Sequence, residues 1–206
     1  MVIIMNGFNK NIQEQLKIFE KIIKKNKKLM EVLKVLEEYS KINPKFKDYY
    51  VGAGSVNQTV FNYLSGNEID YGIKDFDIVY YDEDLSYEAE DKIIKDLDKM
   101  FKDRSIEFDV KNEARVHIWY NEKYNDKRDP YTSTEDAISK WGATVTCIGV
   151  RLENKKLITY CPYGLNDLFS MTIRPVKTFF SKESYNARCD RWLKKWPNLN
   201  IIGWDD

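Results

Sequence analysis

The segment Ile73-Lys74-Asp75-Phe76-Asp77-Ile78-Val79-Tyr80-Tyr81 places the tightest limit on how this chain folds. Its density of apolar and aromatic residues is that of a strand inside a sheet, yet it holds two carboxylates. Residues two apart in a strand face the same way, so Asp75 and Asp77 project side by side while Phe76 and Ile78 enter the core. Like charges held that close repel, and the strand gains nothing from the pair unless a cation lies between them. Hard oxygen donors of this kind suit Mg²⁺ or Mn²⁺ bound jointly with substrate phosphates. The acids just downstream, Asp82, Glu83 and Asp84, read instead as a solvated turn.

Two flanking segments add to the pair. Upstream, Tyr49-Tyr50-Val51 reads as a short strand running into Gly52-Ala53-Gly54-Ser55, followed by a helix from about Val56 to Leu64 that stops at Gly66. Glycines let backbone approach a phosphate, and a helix start offers free N–H groups. Gly54 and Ser55 are the residues expected there, with the Ser55 hydroxyl as a further donor. Downstream, Asp109 lies in a second apolar strand, Ile106-Glu107-Phe108-Asp109-Val110, with Glu107 on the same face. If the two strands are neighbours, Asp109 completes a three-carboxylate metal site and takes the proton from an attacking hydroxyl.

The rest of the chain supplies helices around a sheet. Ile12, Leu16, Phe19 and Ile23, then Leu29, Leu33 and Leu36, recur at helical spacing and predict a helical hairpin ending near Asn43-Pro44. Ser86 caps a helix over Tyr87–Phe101. Phe108–Val110 and Arg115–Tyr120 read as paired strands, and a short helix opens after Tyr131 and runs through Trp141. Val145–Leu152 and Leu157–Tyr160 form a hairpin, with Cys147 as a buried strand residue. From Gly164 onward the reading is short helices broken by Pro175 and Pro197. The fold class expected is α+β: a mixed sheet flanked by helices, with residues 1–47 packed as a helical segment on a domain of residues 48–206, as one compact unit.

Charge limits the partners. Thirty-three basic and thirty-three acidic residues balance, whereas a domain made for bulk nucleic acid carries a basic excess. The balance is uneven along the chain: residues 68–113 hold sixteen acids against seven bases, and residues 174–196 seven bases against two acids. That pattern suits metal ligands among phosphate-binding groups, while most of these charges read as solvated helix faces. Three cysteines without metal-type spacing predict reduced thiols. With no apolar run long enough for a signal peptide or a membrane span, the expected place is the cytoplasm.

A Gly-Ser turn opening a helix, an Asp-x-Asp strand and a lone Asp in a later strand together resemble the active site of the DNA polymerase beta-like nucleotidyltransferases. Further landmarks are similar to one mostly bacterial branch of that superfamily. They include Val60-Phe61-Asn62-Tyr63-Leu64-Ser65-Gly66, Val110-Lys111-Asn112-Glu113-Ala114-Arg115-Val116-His117, Gly149-Val150-Arg151-Leu152 and Arg191-Trp192 followed by Trp196-Pro197. The likeness runs from about Tyr50 onward. It implies that Gly54 and Ser55 hold the triphosphate of a nucleoside triphosphate, that Asp75 and Asp77 bind two divalent ions, and that Asp109 helps activate the acceptor. Beside these acids, Lys111, Asn112, Arg115 and Arg151 are the candidate nucleotide-binding residues, and His117 reads as structural. The acceptor is open among a small molecule, RNA and protein, as is the oligomeric state. Two other readings share the constellation: a nucleotide-binding module without turnover, and an interaction protein such as a toxin–antitoxin component. Nineteen residues lie between Ser55 and Asp75, more than in the superfamily's short signature.

Overall fold

The computed structural model describes residues 5–124 and 128–206. Its sheet follows from one row of β-branched residues. Val110, Ile78, Val51 and Val150 lie opposite one another on four neighbouring strands, and each is almost wholly buried. The strands are β1 (Tyr50–Gly52), β2 (Phe76–Tyr80), β3 (Phe108–Asn112), β4 (Gly149–Glu153) and β5 (Lys156–Tyr160), in the spatial order β3-β2-β1-β4-β5. β1 runs antiparallel to both neighbours and β4 antiparallel to β5, while β2 and β3 are parallel. Parallel neighbours need a crossover, and the helix over Tyr87–Phe101 supplies it.

Alternation along each strand gives the sheet two unlike faces. One joins the main core. There the sheet meets α1 (Ile12–Ile23), α2 (Lys27–Ile42), α3 (Ala53–Ser65) and α4 (Tyr87–Phe101) through Phe19, Leu33, Phe61, Leu97 and their neighbours. Asn11, Asn26 and Ser86 cap α1, α2 and α4, each accepting a backbone N–H two or three residues into its helix. The second face carries Tyr50, Asp77, Val79, Asp109 and Lys111. Only its middle is covered, by Ile138 of α6 (Thr134–Ser139) and by Trp141.

Beyond the start of α3, the chain departs from the sequence expectation in four places. Arg115–Tyr120 is not a strand: a 3-10 turn over Glu113–Arg115 leads into α5 (Val116–Tyr124). Val116 and Tyr120, four apart, pack together with Tyr131, so the buried spacing is helical, and Ile118 between them is exposed. β2 starts at Phe76, so Asp75 stands just before it. β4 starts at Gly149, which leaves Cys147 buried in the turn ahead of it. After Gly164 the chain forms α7 (Asn166–Phe169) and α8 (Lys182–Leu193), and also two short strands, β6 (Thr172–Ile173) and β7 (Asn200–Ile201), paired in parallel. Among the described residues no helix is long and apolar enough to cross a membrane.

α8 and its following turn are fastened to the far end of α3. Gly66, in the left-handed region at φ 71°, ends α3 where the sequence placed its stop. Before it, buried Asn62 donates to the carbonyls of Ile69 and Tyr71 at 3.2 and 2.8 Å, and accepts from the Trp196 indole at 2.8 Å. Phe61 packs against both Trp192 and Trp196. Asn62→Ala leaves the buried Trp196 indole and two part-buried carbonyls without their partner, and urea unfolding should show a loss of about 2–4 kcal/mol. Trp196→Phe, which leaves one acceptor unpaired, should cost less.

Candidate active site

The strand register assembles the acids. Gly52 stands opposite Asp77, and Asp77 opposite Asp109; on the other side Gly149 faces Gly52, and Tyr160 faces Gly149. Asp109, Asp77, Gly52, Gly149 and Tyr160 therefore form one row on the sparsely covered face. Of Asp109 and Glu107, the register sets Asp109 across from Asp77, while Glu107 lies just before β3. The two glycines leave bare backbone in mid-row, and Trp141 lies on it. A Cβ at Gly52 would stand 2.6 Å from the indole ring.

α3 starts at Ala53, three residues earlier than expected, so Gly54 and Ser55 belong to its first turn. The turn from β1 is tight enough to force Ala53 to φ 48°, a region that costs a residue with a Cβ roughly 1–2 kcal/mol. The Gly54 N–H draws the Asp77 carboxyl downward, so the helix start stands beside the acid row. The Ser55 hydroxyl is buried and donates to the Gly52 carbonyl at 3.2 Å, closing the turn on itself.

Asp75 and Asp109 are exposed and Asp77 is half-buried. Burial, with the charges of Asp75 and Asp109 adding to it, pushes the Asp77 carboxyl up to about 6; the Gly54 N–H and Arg188 of α8 act the other way. Asp109 accepts from Lys111 at 2.9 Å. Glu113, in the 3-10 turn after β3, is buried, and desolvation with the nearby charge of Asp77 raises it to about 8.

No group of three ligands among the described residues closes round a single point. Mg²⁺ needs no such cage: it binds through one or two carboxylates and completes its shell with phosphates and water. Asp75 and Asp77, the latter raised first by burial and then by the neighbouring acids, fit that donor set, and Asp109 is the acid nearest in register.

The other expected nucleotide contacts divide. Lys111 shares the acid face and pairs with Asp109. Asn112 is buried and its amide is fully engaged: it accepts from Asp82 N–H at 3.0 Å and Ala114 N–H at 3.1 Å, and donates to the Asp82 carbonyl at 2.8 Å. Arg115 is held by Glu90 and the Leu85 carbonyl. Arg151 lies over the Tyr50 ring, 4.8 Å from its centroid, and pairs with Glu135 and Glu153. His117 is half-buried on α5, its Nδ1 without a hydrogen-bond partner among the described residues.

Sequence reasoning passed over Glu113 and the basic end of α8. A cavity of about 410 Å³ opens beside the α3 start, lined by Gly54, Ser55, Lys74 and Asp75 on one side and by Arg191 and Lys195 on the other. The excess of bases over residues 174–196 was the signal for it.

A family model described as nucleotidyltransferase matches residues 42–201. Among solved structures, one reported as "The NMR structure of the protein reveals a CCA-adding enzyme head domain" is similar at a TM-score of 0.72 and 27% identity, covering 91% of this chain and 95% of that one. No curated protein matches the chain.

The raised Glu113 gives a pH signature. The folded protein keeps a proton that the unfolded chain releases near the ordinary 4.5, so stability is full below that pH and falls as pH rises to about 8. Denaturant titrations at pH 5 and pH 8.5 should show a fall of about 2–4 kcal/mol from this group, absent in Glu113→Gln. Equal falls in the two proteins would mean that Glu113 is ionised in the fold.

Proposed function

The chain belongs to the nucleotidyltransferase family, and on that premise we propose that it transfers a nucleoside monophosphate from a metal-bound nucleoside triphosphate to an acceptor, releasing pyrophosphate. The observation that carries this reading is the Asp77–Asp109 row beside the start of α3. Carboxylate oxygens that suit a cation, next to a helix N-terminus that suits phosphates, support it.

Mg²⁺ or Mn²⁺, when bound there, neutralises phosphoryl oxygens and makes the acceptor hydroxyl easier to ionise. Asp75 and Asp77 would hold it. Asp109, exposed at the end of the row, would orient the acceptor and receive its proton. An attacking oxygen forms the new bond to the α-phosphorus, the bond from that phosphorus to the bridging oxygen breaks, and the electron pair leaves with pyrophosphate. Gly54 and the α3 start would steady the departing phosphates. Chemistry of this kind depends on positioning and charge, so few side chains are needed. The acceptor is a small molecule, an RNA or a protein, and the partly open face beyond Asp109 is where it would approach.

Calorimetric titration of ATP, GTP, CTP and UTP, each with and without Mg²⁺, tests the proposal. Wild-type protein should bind at least one of them at least about tenfold more tightly with Mg²⁺, and Asp77→Asn should lose that increment while keeping its fold. Affinity indifferent to both the ion and the substitution would remove the carboxylates from the reading.

A further inference from the structure

The connection between α3 and β2 is long for a turn that need only join a helix to the next strand, and it has a packing role. Tyr71 stacks edge-on against Trp196, and Gly72 turns at φ 72° with its carbonyl accepting from Lys195 Nζ at 2.9 Å. A Cβ at Gly72 would come within 3.1 Å of the Lys195 side chain, so the connection is shaped around that lysine. Trp196, next to it, is fastened to α3 through Asn62. Lys195 is thereby fixed at the cavity wall rather than swinging in solvent.

Four cations meet in this cavity: Lys74, Arg191, Lys194 and Lys195, against the single acid Asp75. Lys74, Arg191 and Lys194 form no ion pair among the described residues. Bases at the end of a helix are ordinarily explained by the helix dipole. That account covers the residues of α8 but not Lys74, which comes from another segment, nor the α3 start that faces them. Arg188, one turn before Arg191, reaches toward the acids: it feels the charge of Asp77 and lies over the Phe180 ring at 4.5 Å. Positive charge thus continues from the carboxylate row to the far wall of the cavity.

Resting on the transferase reading above, we infer that Arg191, Lys195 and Lys74 form the seat of the β- and γ-phosphates, so that the end of α8 selects a triphosphate over shorter phosphate chains. The α-phosphorus then lies by Asp75 and Asp77, and the pyrophosphate that leaves it, carrying the electron pair of the broken bond, is already against cations. A nucleoside monophosphate, with its single phosphate by the acids, offers no β- or γ-phosphate to the cations of α8.

The test uses inorganic tripolyphosphate, pyrophosphate and orthophosphate in metal-free buffer, titrated calorimetrically into the full chain. Wild type should prefer tripolyphosphate to orthophosphate by about tenfold or more, and Lys195→Gln and Arg191→Gln should each lose about tenfold of that affinity. Lys34→Gln, on the exposed side of α2, should retain it. Thermal melts establish that each variant is folded, and Arg191→Gln, which leaves the Gly72 contact intact, carries the result if Lys195→Gln is not. Wild type that ignores tripolyphosphate, variants that bind it normally, or variants that weaken all three phosphates alike would overturn the inference. Tripolyphosphate needs neither metal nor acceptor, so this result stands apart from whether the protein is found to transfer a nucleotide.

Discussion

Parallel pairing of β2 with β3 holds Asp77 across from Asp109, and the rest of the site is arranged around that repulsion. Two charges about 5 Å apart near a protein surface oppose one another by no more than about 3 kcal/mol. The adjoining row of Val110, Ile78, Val51 and Val150 faces the main core, and burying side chains of this size contributes about 1.5–3 kcal/mol each. The apolar row is the stronger term. Slipping the register by one residue would relieve the acids only by turning the valines and isoleucine outward. The fold therefore keeps its carboxylates together against their own preference, and that conflict is what a cation would relieve.

The parts of this design differ in how openly they are written in the chain. The strand carrying Asp77 is plain from period-two alternation, and so are α1, α2 and α4 from their apolar spacing and caps. Adjacency of β2 and β3 is a long-range property that no local pattern reports, and the structure supplies it. Arg115–Tyr120 misled because Val116, Ile118 and Tyr120 alternate as in a strand, while the partners at Tyr131 and Ala137 select the residues four apart instead. The start of α3 was placed late because glycine argues against helix, yet here Gly54 opens one. Asn112, Arg115 and Arg151 have chemistry suited to a nucleotide, and only the fold reveals Asp82, Glu90, Glu135 and Glu153 as their neighbours. Glu113 stands in a recognisable segment, but nothing local reports its burial, which depends on segments distant in sequence.

The site also divides its labour between layers. Carboxylates sit on strands, whose spacing the hydrogen-bond ladder sets; cations sit on a helix end and a connection, where side chains reach across a gap. Trp141, resting on the bare backbone at Gly52, walls the row on its other side. Asn62 joins the two layers from behind, linking the third helix, the following connection and Trp196 through one amide.

That single amide has a consequence for how the protein comes into being. On a ribosome, β1, α3, β2 and β3 are all made before α8, so the acid row is complete while the opposite wall of the cavity is still unsynthesised. Until Trp196 arrives, Asn62 has no indole to accept from and the cavity has no far side. A growing chain would thus carry its anionic cluster with Lys74 but without the α8 cations that face it, and would have a weaker hold on a polyphosphate. Ligand capture becomes a late event in biogenesis, reserved for molecules that have finished folding.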